Sequence, residues 1–117
     1  MRRILEVRGY NLRPGTRGEF HRLMAEVAAP MLESWKVDVV AYGPSPQDEN
    51  SYFLMRTYAG LEDRKESQSR FYGSDDWKKG PRDAVLACIE SYTSIVIEVD
   101  ETTLQGLRRA QVSAKAT

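Results

Sequence analysis

The chain has a single cysteine, Cys88, and a single histidine, His21, among its 117 residues. One cysteine excludes an internal disulfide and any thiolate metal cluster. Net charge is absent as well, with 17 basic residues against 17 acidic ones. A balanced chain has no electrostatic drive toward a polyanion, which argues against nucleic acid and against an anionic membrane surface as partners. No apolar run approaches the roughly 20 residues that a membrane span needs. The N-terminus MRRILEVRGY alternates apolar and polar residues instead of building a signal-peptide centre, so a cytoplasmic protein is expected. A Gly-rich phosphate loop, metal-ligand spacing and a nucleophile elbow are all missing, which removes the nucleotide-dependent, metal-dependent and hydrolase classes. No cofactor and no metal are expected.

What is present is an ordinary globular composition, 41% apolar and 29% charged. The length fits one domain, and a chain of this size buries roughly 65% of its unfolded surface without needing staples. The domain is expected over residues 1–100, with 101–117 as a C-terminal extension: a short helix at 101–110, then a frayed tail.

Alternating apolar and aromatic residues from Ile4 to Leu12 mark a first strand, stopped by Pro14-Gly15. TRGE then offers a capping box, Thr16 with Glu19, ahead of a helix carried by Phe20, Leu23, Met24, Val27 and Met31 to Trp35. Pro30 lies inside that pattern and predicts a kink. Residues 36–43 and 51–59 form strands joined by the polar PSPQDEN loop, hence an antiparallel hairpin. LEDRKESQSRFY is a polar, exposed helix. Ser74 caps the next one, with Asp75 and Asp76 in its first turn. Gly80-Pro81 breaks and restarts it, Ala84, Val85, Cys88 and Ile89 supply the buried stripe, and residues 91–99 close as a strand.

The order β-α-β-β-α-β is the ferredoxin-like arrangement, a four-stranded antiparallel sheet covered on one face by helices. Alternation sorts the strand residues into two sets. Leu5, Val7, Val37, Val39, Ala41, Phe53, Met55, Ile95, Ile97 and Val99 form the expected helix-covered core. Glu6, Arg8, Tyr10, Asp38, Val40, Tyr42, Leu54, Arg56, Tyr58, Ser94, Val96 and Glu98 form the outward set. Its large aromatics are unusual for a solvated face, so a second copy of the chain is expected to cover it as a homodimer.

The stretch ILEVRGYNLRPGTRGEFHRLM, followed by the hairpin strand, YAGLEDR, FYGSDDW and a closing strand, resembles NIPSNAP-like proteins of the dimeric α/β-barrel superfamily over residues 3–99. That resemblance implies a ferredoxin-like fold whose sheets pair face to face into a barrel. It implies no activity, because relatives in the superfamily include cofactor-independent monooxygenases, haem-binding enzymes, isomerases and proteins of unknown role. Haem-degrading members combine a first-strand asparagine with a tryptophan and a histidine around the second helix. Asn11 and Trp77 match two of these, and no histidine stands there for the third.

Arg8, Tyr10, Tyr42, Arg56 and Tyr58 are the residues most suited to hold a ligand, since phenols and guanidinium groups orient carboxylates, phenolates or quinone-like groups. The reading preferred for them is a dimer interface in which Glu6, Asp38 and Glu98 pair with the arginines, and both roles can hold in one protein. His21 is of the residue type that serves as a haem ligand or general base, but its place at the edge of the apolar stripe also suits a boundary histidine. Trp77 either walls a pocket or anchors the core. Asp75 and Asp76 are explained by helix capping, Lys78 and Lys79 by solvation, and Cys88 by small core packing. Two functions follow. One is binding of a small hydrophobic or aromatic molecule; the alternative is a cofactor-independent monooxygenase or isomerase acting on an aromatic compound.

Overall fold

A computed structural model describes residues 2–116, with side chains for residues 2–110. The strands are β1 (Arg3–Leu12), β2 (Asp38–Pro44), β3 (Ser51–Tyr58) and β4 (Ile89–Val99), and they form one antiparallel sheet in the order β2-β3-β1-β4. Between them run α1 (Arg17–Leu23), a π-helical segment (Met24–Ala28), α2 (Ala29–Ser34), α3 (Leu61–Tyr72), α4 (Asp75–Lys78) and α5 (Arg82–Cys88). The chain closes with α6 (Glu101–Ala116). The expected frayed tail falls on residues whose side chains, and in Thr117 the backbone, lie outside the described part. Strand order and connections are those of the ferredoxin-like fold.

The sheet is open. β2 and β4 are its two edges and do not pair with one another, so the barrel expected from the sequence does not form. An α/β layer of four strands needs no closure to bury its core, because α1 to α5 already cover one face.

The face that those helices cover is not the one the alternation pointed to. Ile4, Glu6, Arg8, Tyr10 and Leu12 of β1 are buried beneath the helices, together with Tyr52, Leu54, Arg56 and Tyr58 of β3. Of the set expected inside, Val37 and Val39 do enter that core, while the rest lie on the other face, where Ile95 and Ile97 remain 64% and 46% exposed. The physical reason is charge pairing. Glu6 neutralises arginines within its own chain, so the polar set can be buried without a second copy. Asp38 and Glu98, the other acids expected to cross an interface, instead pair with Arg108 and Arg2 of the same chain.

α6 touches part of the open face. Its Leu104 is fully buried in a second, smaller cluster with Leu5, Val40, Ala41 and Val99, and Arg108 reaches Asp38 on β2. A bulge at Val40, where the β2–β3 register shifts, turns Val40 and Ala41 into that cluster.

Local signals in the sequence fared unevenly. Ser74 Oγ accepts from the Trp77 backbone N–H, as a cap should. The TRGE capping box does not form. Thr16 Oγ1 donates to the carbonyls of Arg13 and Cys88, tying the helix start to α5, while Glu19 pairs with Arg22. Pro30 produces no sharp break, because the preceding π segment widens the helix and accommodates the ring. α2 ends in a Schellman motif. The Lys36 and Val37 N–H groups bond back to Glu33 and Leu32, which places Lys36 at a φ of 65° where glycine is usual.

Candidate functional site

The centre of the helix-covered face is a carboxylate surrounded by donors. Glu6 is wholly buried on β1. Arg56, directly across on β3, donates to its Oε1 from Nε at 2.8 Å and from Nη2 at 2.5 Å. From α3, Arg64 donates to Oε2 from Nε at 2.8 Å, its Nη2 lies 2.6 Å from the same carboxylate, and Gln68 donates to Oε2 at 2.9 Å. Burial alone would push the Glu6 carboxyl up; Arg56, Gln68, Arg8 and Arg64 outweigh it and hold the group down at about 2. Glu6 is therefore a fixed anion.

The network continues outward through phenols. Arg56 donates to Tyr72 Oη at 2.8 Å, and Gln68 donates to Tyr58 Oη at 3.2 Å. Arg8, two residues beyond Glu6 on the same strand face, makes looser contacts. Its Nε donates to Ser94 Oγ at 3.0 Å, its Nη1 reaches Tyr72 Oη at 3.4 Å, and its Nη2 stands 3.7 Å from Glu6 Oε2. The Tyr92 ring stacks on the Arg8 guanidinium at 4.6 Å.

Arg8 forms one wall of a cleft of about 310 Å³ between sheet and helices, on the β4 side. Tyr10, Tyr72, Trp77 and Tyr92 supply aromatic walls, Val85, Leu86 and Ile89 an apolar side, and Gln68 and Arg82 polar groups. The local folding of α3 to α5 makes this space. Phe71, Tyr72 and Trp77 pack with ring centroids 4.9 to 5.4 Å apart, and the Ser74 cap turns the chain between them. At Gly80 a Cβ would run into the Asp76 carbonyl, so only glycine lets α5 restart at that distance from Trp77. Burial and the neighbouring Tyr72 push the Tyr10 phenol up to about 12, against the opposing pull of Arg8 and Arg56.

Of the residues singled out from sequence, Arg8, Tyr10 and Trp77 meet at this cleft, with Arg56 and Tyr58 behind them in the carboxylate network. His21 and Tyr42 lie elsewhere. The exposed His21 ring shares a 2.6 Å hydrogen bond with the buried Tyr52 hydroxyl and stands 6.3 Å from the Tyr42 ring, centroid to centroid. Sequence reasoning missed Tyr72, Gln68, Arg64 and Tyr92. The signal for the α3 residues was available. Arg64, Gln68 and Tyr72 recur every four residues and so share one face of a helix that otherwise looks wholly solvated.

Among the described residues no group of histidine, cysteine and acidic side chains could hold a metal ion, and no helix is long and apolar enough to cross a membrane.

No protein-family model matches the sequence, and no curated protein does. Solved structures do match. A NIPSNAP family protein from Agrobacterium tumefaciens aligns with a TM-score of 0.78 at 20% identity, over 88% of this chain and 90% of that one. An uncharacterised NIPSNAP-like domain protein from Burkholderia xenovorans gives 0.76 at 18% identity, over 85% and 86% of the two chains. A candidate antibiotic biosynthesis monooxygenase from Bordetella bronchiseptica gives 0.62 at 18%, over 86% and 98%. At such identities the likeness is one of fold.

Proposed function

We propose that this chain is a NIPSNAP-like protein that binds a small hydrophobic or aromatic molecule in the cleft between β1, β4 and α3 to α5. The observation that carries this is the lining: four aromatic and three aliphatic side chains around about 310 Å³, with the polar groups of Arg8, Gln68 and Arg82 among them. That composition is what small-molecule sites have in common, and the volume suits a ligand of one or two rings. A panel of such aromatic compounds tests it by thermal shift and tryptophan fluorescence. Binders should raise the melting temperature and change the Trp77 emission; a panel with no effect on either measurement refutes the assignment.

A cofactor-independent oxygenase or isomerase on the same cleft would need a group able to take a proton from its substrate near neutral pH. Glu6 and Tyr10 are both moved away from that range, one to about 2 and the other to about 12. Glu6 also spends its lone pairs on three donor side chains, Arg56, Arg64 and Gln68. This favours binding over proton abstraction.

The chain also self-associates in this proposal, through the open face of the sheet. Val7 lies opposite both Met55 and Ile95, and Ile97 follows on β4, which makes an apolar patch on the part of this face that α6 leaves open. The charges at its margin are already neutralised as Asp38–Arg108 and Glu98–Arg2 pairs. A two-fold axis lays such a patch on itself without opposing like charges, so a second copy is its natural cover. Light scattering at micromolar concentration should give a dimer for the natural chain and a monomer for Ile95→Lys. A natural chain that is monomeric at that concentration ends the idea.

A further inference from the structure

Arginine outnumbers acid at the cleft, and the surplus has a location. Arg8, Arg56 and Arg64 gather around Glu6, the one acidic side chain in their buried network. Arg56 and Arg64 each hold Glu6 at hydrogen-bond distance, and their donors together with Gln68 occupy both carboxylate oxygens. Arg8 is held off at 3.7 Å, beyond hydrogen-bond reach, by neighbours that have already taken those lone pairs. Its other partners are the hydroxyls of Ser94, Tyr72 and Tyr10, and Tyr72 Oη already accepts a shorter bond from Arg56. The guanidinium is nearly buried, with its side chain only 11% exposed, and its plane is covered by Tyr92. For a cation taken that far from water, hydroxyl partners and a 3.7 Å ion pair offset only part of the desolvation cost. Arg8 and Tyr92 both belong to the cleft wall.

We infer that the ligand of the cleft is an aromatic anion whose carboxylate serves as the counter-ion of Arg8, its ring lying against Trp77 and Tyr92. This rests on the proposal that the cleft binds an aromatic molecule, and adds the charge. The planar guanidinium fork matches a carboxylate in two parallel hydrogen bonds, which a phenol hydroxyl or an amide cannot reproduce. Arg82 stands in the same lining, where its bond to Asp83 leaves it shared with an exposed acid. It adds a second positive group without replacing Arg8.

The test uses two probes of one shape, naphthalene-2-carboxylate and naphthalene-2-carboxamide, titrated into the full chain by calorimetry. The carboxylate should bind at least about tenfold more tightly than the amide, the usual margin for a charge-assisted hydrogen bond. In Arg8→Gln that preference should fall to near one while amide binding persists. If the two probes bind the natural chain equally, the anion inference is overturned and the aromatic cleft stands. If neither binds, both fall. The comparison within the natural chain needs no variant to fold, and a retained melting transition in Arg8→Gln shows whether its loss is local.

Discussion

Glu6→Gln should cost about 3–5 kcal/mol of folding stability, the scale observed when one partner of a buried ion pair is removed. The change keeps the side-chain volume nearly constant, so packing is not at issue. Five donor contacts from Arg56, Arg64 and Gln68 converge on the Glu6 carboxylate. A neutral amide would aim its own N–H groups at some of those donors and leave Arg56, fully buried, without its counter-charge. Urea denaturation measures the effect, and a loss below about 1 kcal/mol would show that the network contributes little.

The same carboxylate sets an acid limit. Its pKa is about 2 in the folded chain against an ordinary 4.5. A lowered folded-state pKa stabilises the protein fully above the unfolded value and is lost as pH falls toward the folded one. Stability should therefore drop by about 2–3 kcal/mol between pH 4.5 and 2, after allowance for screening on the cleft side. Glu6→Gln should remove that portion of the pH dependence. An unchanged acid slope in the variant would assign it to other carboxylates.

The second large effect belongs to Trp77. Its ring is 8% exposed and packs on Phe71 and Tyr72 at centroid distances of 5.4 and 5.3 Å, while its outer side lines the cleft. Trp77→Ala should cost about 3–5 kcal/mol in urea titrations, the range for truncating a large buried aromatic. It should also weaken binding of any aromatic cleft ligand by an order of magnitude or more, a loss on the scale of one aromatic contact. Trp77→Phe separates the two roles. It should recover most of the stability while restoring affinity only in part, because phenylalanine fills the inner space but presents less surface to the cleft. Full stability and unchanged affinity in Trp77→Ala would make the residue a bystander.

Element order was readable in the sequence because strand and helix patterns differ in period, and several breaks carried a glycine, a proline or a capping serine. Which face of the sheet turns inward was not. The strands alternate two sets that are each capable of burial: Leu5, Val7, Ile95 and Ile97 by being apolar, and Tyr10, Tyr52, Arg56 and Tyr58 by being large and mutually bonded. Hydrophobicity favoured the first set. The decision was made by tertiary pairing between Glu6 on β1, Arg56 on β3 and Arg64 on α3, contacts 50 and 58 residues apart that no local pattern records. The cleft shows the same division. Arg8, Tyr10 and Trp77 were visible as chemistry, whereas Tyr92 and Gln68 joined them only through the packing of an edge strand and an apparently solvated helix. Closure of the sheet was a property borrowed from resemblance, and nothing in these strands requires it.

The π segment acts as a phase corrector. Phe20, Met24, Ala28 and Leu32 are all buried against the sheet, four residues apart. In a regular α-helix each four-residue step overshoots a full turn by about 40°, so three steps would carry Leu32 about 120° away from Phe20. Residues 24–28, wound in wider i→i+5 turns, absorb much of that drift and return the second half of the helix to the sheet. The wide turn thus sets the angular alignment of everything after it. Shortening the chain by one residue there would restore a regular helix with Ala29 and Leu32 still facing the core, because the wide turn holds one residue more than an α turn between the same two faces.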